Sequence, residues 1–195
     1  MKTTLALLVC VASLVIGTVA SARADSFAVT DDFLGYMKAV TNPHHFGLRD
    51  GRFFPYSTRY GRRIGYARPV TDKPLYRTGE TPSEAEAQLR AGLLATASEL
   101  TAWLAREFPG RTFADLTRTQ QELLVDHAYT EGVPSMNRAF CAAVLQAAWD
   151  RLIDECLYVR GLGNWPDANR NFAFGRRYIY GETGTSLRPL KKTKS

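Results

Sequence analysis

The sequence contains few of the residues that build metal centres, with only three cysteines and three histidines among 195 residues. No Cys/His spacing typical of a zinc site occurs. The adjacent His44 and His45 would point in different directions, and only His127 lies elsewhere. Because a metal ion needs several converging ligands, we predict no metal site, and we expect no other cofactor.

Long apolar runs are also scarce. Only residues 5–20 form one, with Lys2 before it and the small-x-small motif Ala22-Arg23-Ala24 after it. The run is short for a transmembrane helix, which needs about 20 apolar residues, and its flanks are those of a secretory signal peptide. We predict a signal peptide at residues 1–24, a periplasmic or secreted protein, and no stable membrane anchor after cleavage. An uncleaved membrane anchor is the alternative.

The rest of the chain, residues 25–183, is long enough for one domain with its own hydrophobic core. Residues 184–195 are basic and polar, and we predict a disordered tail there.

Acidic residues are nearly missing from residues 47–71, which hold six arginines and the single acid Asp50. Such asymmetry favours an anionic partner, and in an exported protein cell-wall or envelope anions fit better than nucleic acid. The alternative is that these arginines pair with carboxylates on the helices.

The same stretch predicts the only sheet. Residues 52–56 and 63–66 are short aromatic or apolar runs, and they flank a polar turn that contains Gly61. This is the pattern of a β-hairpin. Because an isolated hairpin is marginal in water, we expect it to pack against a helix.

The other regular elements are predicted to be helical. Hydrophobic spacing predicts a helix over residues 31–41, ended by the Asn-Pro pair that follows. Thr81, Pro82 and Glu84 form the capping signal of a helix of about 26 residues, which would be a rod of about 40 Å.

Two further helical regions follow. Thr117 and Gln120 form a second capping box, and the helix that it starts is expected to end at Glu131, before Gly132. Residues 137–160 carry apolar side chains at helical spacing, and a final helix is predicted to reach Tyr180.

Several short motifs follow one another in a defined order between residues 47 and 180. They are Tyr56 followed by Ile64-Gly65-Tyr66, the segment 79–87, Leu116-Thr117 with Gln120, Tyr129 with Gly132, Trp149-Asp150, and Arg176-Arg177. This series resembles the phage-type lysozymes, the endolysins of glycoside hydrolase family 24. The resemblance implies an α+β, mostly α, lysozyme-like two-lobed fold. In such a fold a small β-hairpin lobe is joined by a long connecting helix to a helical lobe.

The resemblance also implies where catalytic groups would lie: Glu-Gly at the end of the first helix, an Asp soon after Tyr, and a Thr before the hairpin glycine. This chain departs from the pattern at all three positions. No glutamate precedes Glu80, and Thr41 or Phe46 falls where the acid would be. Ser57 and Thr58 follow Tyr56, and Arg63 replaces the threonine. Since glycosidic cleavage needs a general acid, we predict that the inherited muramidase chemistry is lost.

Two carboxylates are candidates for a relocated acid. Glu131, at the end of its helix beside the expected cleft, is the better one, although a solvated helix terminus is the alternative. Asp50, flanked by arginines, is the weaker one. For substrate binding we predict Tyr56 and Tyr66, whose rings can stack on sugars. Arg63 and Arg68 are the matching candidates for contacts with carboxylates.

Cys141 and Cys156 form the remaining predicted pair. In one unbroken helix their fifteen-residue separation would be about 22 Å, far beyond the reach of a disulfide. The lysozyme resemblance implies a break near Trp149-Asp150, which would let the two cysteines approach.

The leading functional hypothesis is an exported protein that binds peptidoglycan glycan strands without cleaving them. One alternative is an active muramidase that uses a relocated carboxylate such as Glu131. The other is a lysozyme fold that binds a protein partner through the hairpin.

Overall fold

The computed structural model describes residues 27–58, 61–148, 151–152 and 173–180. The predicted signal peptide and basic tail lie outside these residues. In this part of the chain, α-helices and two small antiparallel sheets surround one hydrophobic core. None of the described helices combines the length and apolar character that a bilayer crossing requires.

The first helix, α1, spans Asp31–Thr41 as predicted. Thr30 caps its first turn by accepting a hydrogen bond from the Phe33 amide, and Asp31 and Asp32 favour the positive end of the helix dipole. Phe33, Leu34 and Met37 form the buried face that packs into the core.

The β region holds two sheets, whereas the sequence predicted one hairpin. Strands β1 (Leu48–Arg49) and β2 (Arg52–Phe53) form the first sheet. Strands β3 (Tyr56–Thr58), β4 (Gly61–Ile64) and β5 (Arg68–Pro69) form the second in that order.

Proline and left-handed backbone explain the difference. Pro55 has no N–H for a ladder, so the predicted run 52–56 is divided between two sheets. Gly65 and Ala67 have φ angles of 54° and 64°, which turn the chain between β4 and β5 and leave Tyr66 outside a strand.

The short helix α2 (Leu75–Thr78) leads into α3 (Pro82–Glu107), the predicted long helix. Both hydrogen bonds of the Thr81–Glu84 capping box are present. The buried residues of α3 include Leu89, Leu93, Leu100 and Leu104, and they let one helix support both the sheet region and the helical region.

Helix α4 (Arg118–Glu131) packs on α3, and its predicted capping box and terminal Gly132 are both found. Gly92 allows the close approach of these helices, because a Cβ built there would lie 3.0 Å from Cε2 of Tyr129. Helix α5 (Arg138–Leu145) then packs on α4.

The helical pattern of residues 137–160 is interrupted after α5, as the lysozyme resemblance implied. Ala147 has a φ angle of 50°, and backbone hydrogen bonds from Arg151 and Leu152 to the Ala148 carbonyl start a new turn. Trp149 and Asp150 lie outside the described residues.

The C-terminal helical segment ends in a π-helical turn, Gly175–Tyr180. Arg177 connects this segment to two other helices. Its Nη2 lies 2.7 Å from Asp32 of α1 and 2.7 Å from Glu122 of α4. Burial opposes the charge of this guanidinium, but its hydrogen bonds to Glu122 and Asp32 outweigh that effect and raise its pKa. The segment is therefore held to two other helices by one cation.

Candidate functional site

Asn42 occupies the end of α1 and is 1% exposed. Its Nδ2 donates to the carbonyls of Phe46 at 3.1 Å and of Gly65 at 2.8 Å, and its Oδ1 accepts from the Phe46 amide at 2.8 Å. The preceding Thr41 hydroxyl donates to the Met37 carbonyl at 2.6 Å. Both polar side chains at this helix end are therefore committed to the backbone.

The Asn42 amide holds both backbone polar groups of Phe46, so it fixes the loop that follows α1. His45 adds to this order, since its ring stacks on Phe53 at 6.4 Å. The side chain of Phe46 is nevertheless 54% exposed. The loop therefore exposes a large apolar side chain to solvent, while its backbone is held in place by hydrogen bonds to Asn42.

Phe46 lies between two other rings, and we call His44, Phe46 and Tyr56 the aromatic cluster. The ring centroids of His44 and Phe46 are 5.5 Å apart, and those of Phe46 and Tyr56 are 6.0 Å apart. Gly47 makes the approach of Tyr56 possible, because a Cβ there would lie 3.0 Å from Cδ1 of Tyr56 and 2.2 Å from the Phe54 carbonyl oxygen.

Tyr56 is half-buried, and its hydroxyl donates a 3.4 Å hydrogen bond to the Gly65 carbonyl. Burial raises the pKa of this hydroxyl, although the Ala67 backbone and the positive charge of Arg63 act in the opposite direction. The hydroxyl therefore stays protonated at neutral pH. Arg63 is the cross-strand partner of Tyr56 in the β3–β4 register.

The described arginines of the two sheets divide into two groups. Arg52 donates to the Thr78 carbonyl at 2.7 Å and lies 3.7 Å from Glu84, and Arg68 contacts Glu80 at 2.6 Å. These two tie the sheets to the start of α3, which is the alternative that the sequence left open. Within the described residues, Arg49, Arg62 and Arg63 have no carboxylate partner.

Glu80, the first glutamate of the chain, is 4% exposed. Its backbone pairs with Phe53, and its carboxylate lies against Gly65, where a Cβ would come within 2.3 Å of Oε1. This oxygen and Nε of Arg68 have no hydrogen-bond partner among the described residues. The ion pair joins sheet and helix, so Arg68 is engaged by the protein rather than presented to a ligand.

Tyr66, which we expected at a binding surface, is only 5% exposed. Its ring packs edge-on against Phe53 at 5.5 Å, and the Lys38 ammonium lies 5.5 Å from its centroid. The ring belongs to the core and offers no free face to a sugar. Of the four predicted binding residues, Tyr56 and Arg63 are the two that the structure places together at the surface.

The two candidate acids lie in different elements. Asp50 is exposed in the β1–β2 turn, where its φ angle of 50° suits the Asp-Gly pair. Glu131 is the last residue of α4, and its side chain is exposed. A catalytic role for either one stays a prediction.

Cys141 is fully buried in α5, and its predicted partner Cys156 lies outside the described residues. The pairing stays a prediction. In the described part of the chain, no group of three or more His, Cys, Asp or Glu side chains is placed to hold a metal ion.

Neither a protein-family model nor a curated protein sequence matches this chain. A solved structure does: the muramidase domain of SpmX from Asticaccaulis excentricus, with a TM-score of 0.52 and 17% sequence identity. The match covers 77% of this chain and 97% of that domain. The fold is lysozyme-like.

At this low identity the likeness shows the fold alone. The lysozyme-like α+β architecture predicted from the sequence is confirmed, with its small sheets, long connecting helix and helical region. The narrower assignment to the phage-type family receives no support from the match.

Three residues of the site were not predicted as binding residues from the sequence. Asn42 was interpreted only as a helix stop, His44 only in excluding a metal site, and Phe46 only as a position where an acid was missing. The single available signal was an aromatic residue in a polar loop directly after a helix. The side chain of Asn42 bonds both the N–H and the carbonyl of Phe46. No sequence pattern predicts this interaction.

Proposed function

We propose that this protein binds the glycan strands of peptidoglycan and does not cleave them by general-acid catalysis. The observation that carries the proposal is Asn42. The lysozyme resemblance expects a carboxylic acid at Thr41 or Phe46, and neither residue is one; between them, Asn42 is a buried amide with three hydrogen bonds. An amide cannot supply the proton that the leaving oxygen requires.

The nature of the ligand is supported by the fold and by the surface beside Asn42. The similar solved structure is a muramidase domain. Muramidases act on peptidoglycan, and we extend that ligand class to this lysozyme-like chain. The aromatic cluster fits it chemically, because the apolar C–H faces of sugar rings stack on aromatic rings. Export to the periplasm or outside the cell, which would bring the protein to this ligand, is part of the proposal.

The fixed position of the loop that carries Phe46 should favour ligand binding. Because Asn42 and the His45–Phe53 stack hold the loop, little conformational freedom is lost when a ligand binds. Preorganisation of this kind improves affinity by lowering the cost of ordering the site.

Co-sedimentation with purified, insoluble peptidoglycan tests the proposal. Phe46→Ala should lower the fraction that sediments, since it removes the exposed ring at the centre of the cluster. We expect a loss of up to about tenfold in affinity, because burying a whole large aromatic side chain contributes roughly 1.5–3 kcal/mol and about half of Phe46 is exposed to begin with.

The matched control is Tyr76→Ala. Tyr76 is a similarly exposed aromatic residue, 46% against 54% for Phe46, but it lies on α2. Its variant should sediment like wild type. If wild type, Phe46→Ala and Tyr76→Ala bind equally well, the aromatic cluster is not part of the binding site. If wild type does not bind peptidoglycan, the proposal is refuted and the protein-partner alternative is favoured.

A further inference from the structure

We propose that Arg63 binds the free lactyl carboxylate that muramic acid carries where it has no stem peptide, so that the site selects acidic glycan strands over neutral ones. This inference rests on the proposed glycan binding at the aromatic cluster. It adds a charge requirement that the cluster by itself does not impose.

The first support is the position of Arg63. It lies directly opposite Tyr56 in the second sheet, and Tyr56 contacts Phe46. Side chains at such cross-strand positions on one face are close neighbours. A sugar stacked on this cluster would therefore have the guanidinium within reach of its substituents.

The second support is the unused binding capacity of Arg63. Its one described hydrogen bond is a long one, 3.4 Å from Nη1 to the Ala67 carbonyl. A guanidinium carries five N–H donors in a planar fork, and no described carboxylate lies within salt-bridge distance of this one. Arg52 and Arg68, by contrast, are both engaged at the start of α3.

The third support is the charge around the cluster. Arg49 stacks on Phe54 with its guanidinium carbon 4.1 Å from the ring centroid, and Arg62 is exposed. Arg62 pairs with Ser57 on the opposite face of the sheet, so Arg63 is the guanidinium that the register places beside Tyr56. A ligand that combines an apolar sugar face with a carboxylate complements both features, and a bidentate contact with a carboxylate is the geometry that arginine favours.

The test measures binding of the protein without its predicted signal peptide, residues 25–195, to soluble probes. The first probe is an oligomer of alternating N-acetylglucosamine and N-acetylmuramic acid without stem peptides, which carries lactyl carboxylates. The second is the same oligomer after its carboxyl groups have been amidated. The third is neutral chitotetraose, and the fourth is an oligogalacturonate, whose carboxylates belong to uronic acids.

Wild type should bind the acidic muramyl oligomer about tenfold more tightly than its amidated form, because a hydrogen-bonded charge pair of this kind is worth about one power of ten in affinity. Arg63→Ala should abolish the difference while still binding the amidated oligomer. Arg63→Lys should retain part of it, since lysine keeps the charge but loses the fork. Arg111→Ala, which removes an exposed charge elsewhere, should behave as wild type.

The failures are distinguishable. Equal wild-type binding of acidic, amidated and neutral probes would overturn the role of Arg63 and leave glycan binding intact. A preference that survives in Arg63→Ala would also overturn it. Binding of oligogalacturonate as tightly as the muramyl oligomer would overturn the assignment to muramic acid. Binding of no probe, together with no sedimentation with peptidoglycan, would refute the proposed function itself.

Discussion

Ala67 shows at the residue scale how a single backbone angle can cost stability. Its φ angle of 64° lies in the left-handed region, where a Cβ is strained. Ala67→Gly should therefore raise the free energy of unfolding, by up to about 1 kcal/mol after glycine's entropy cost is deducted. Urea denaturation would measure the change.

Ala95→Gly provides the control, because Ala95 is exposed in the middle of α3. It should lower the unfolding free energy by about 1 kcal/mol. If both variants lose stability equally, the left-handed conformation of Ala67 is not a source of strain.

Cys141 gives a pH dependence that can be stated with its sign. Burial raises the pKa of its thiol to about 12, while an unfolded thiol titrates near a pKa of about 8.5. In the reduced protein the unfolded state therefore releases this proton first as pH rises, and the native state loses relative stability. Stability due to the neutral thiol is complete below about pH 8.5 and falls above it.

The measurement is the difference in unfolding free energy between reduced wild type and Cys141→Ala from pH 8 to pH 10. Wild type should lose up to about 1.4 kcal/mol per pH unit relative to the variant above the unfolded pKa. Parallel curves would show that the Cys141 thiol is not shielded from solvent.

At the element scale, the C-terminal helical segment depends on Arg177. Its guanidinium contacts Glu122, whose side chain is 9% exposed, and also lies 4.8 Å from the Tyr36 ring centroid. Arg177→Ala would leave the Glu122 charge without this partner. Because Glu122 keeps its 2.7 Å contact with Arg118, the loss should be smaller than the 3–5 kcal/mol typical of a buried charge left alone, and we expect about 1.5–3 kcal/mol in thermal or urea unfolding.

The comparison for Arg177 is Arg106→Ala. Arg106 forms an exposed ion pair with Glu107 at 2.9 Å, and such pairs contribute about 0–1 kcal/mol. A similar, small effect in both variants would contradict the fastening role of Arg177.

The helices whose caps and apolar stripes lie within their own residues could be predicted from the sequence. The strands, which depend on turn geometry and tertiary contacts, could not. Helices α1, α3 and α4 carry caps and apolar stripes within their own residues, and their predicted limits agree with the structure. The sheets depend on Pro55 and on left-handed turns at Gly65 and Ala67, so their strands were placed wrongly. Among the binding candidates, the burial of Tyr66 and the ion pair of Arg68 with Glu80 are tertiary effects that the sequence does not signal.

At the scale of the whole molecule, the fold is lysozyme-like and Asn42 at the end of α1 has a structural role. It links α1 to the loop that follows and, through the Gly65 carbonyl, to the sheets. The glycan binding that we propose would benefit from this rigidity. An acid catalyst would instead need a protonated carboxyl group facing the substrate.

The central claim is binding without cleavage, and one sample can test both parts. Wild-type protein is incubated with purified peptidoglycan, the pellet is assayed for bound protein, and the supernatant is assayed for newly formed reducing ends. We predict a bound fraction together with reducing ends no higher than in the protein-free blank, because loss of a positioned general acid lowers the rate by about 10²–10⁴-fold. Release of reducing ends well above the blank would contradict the account, and its loss in Glu131→Gln would identify a relocated acid.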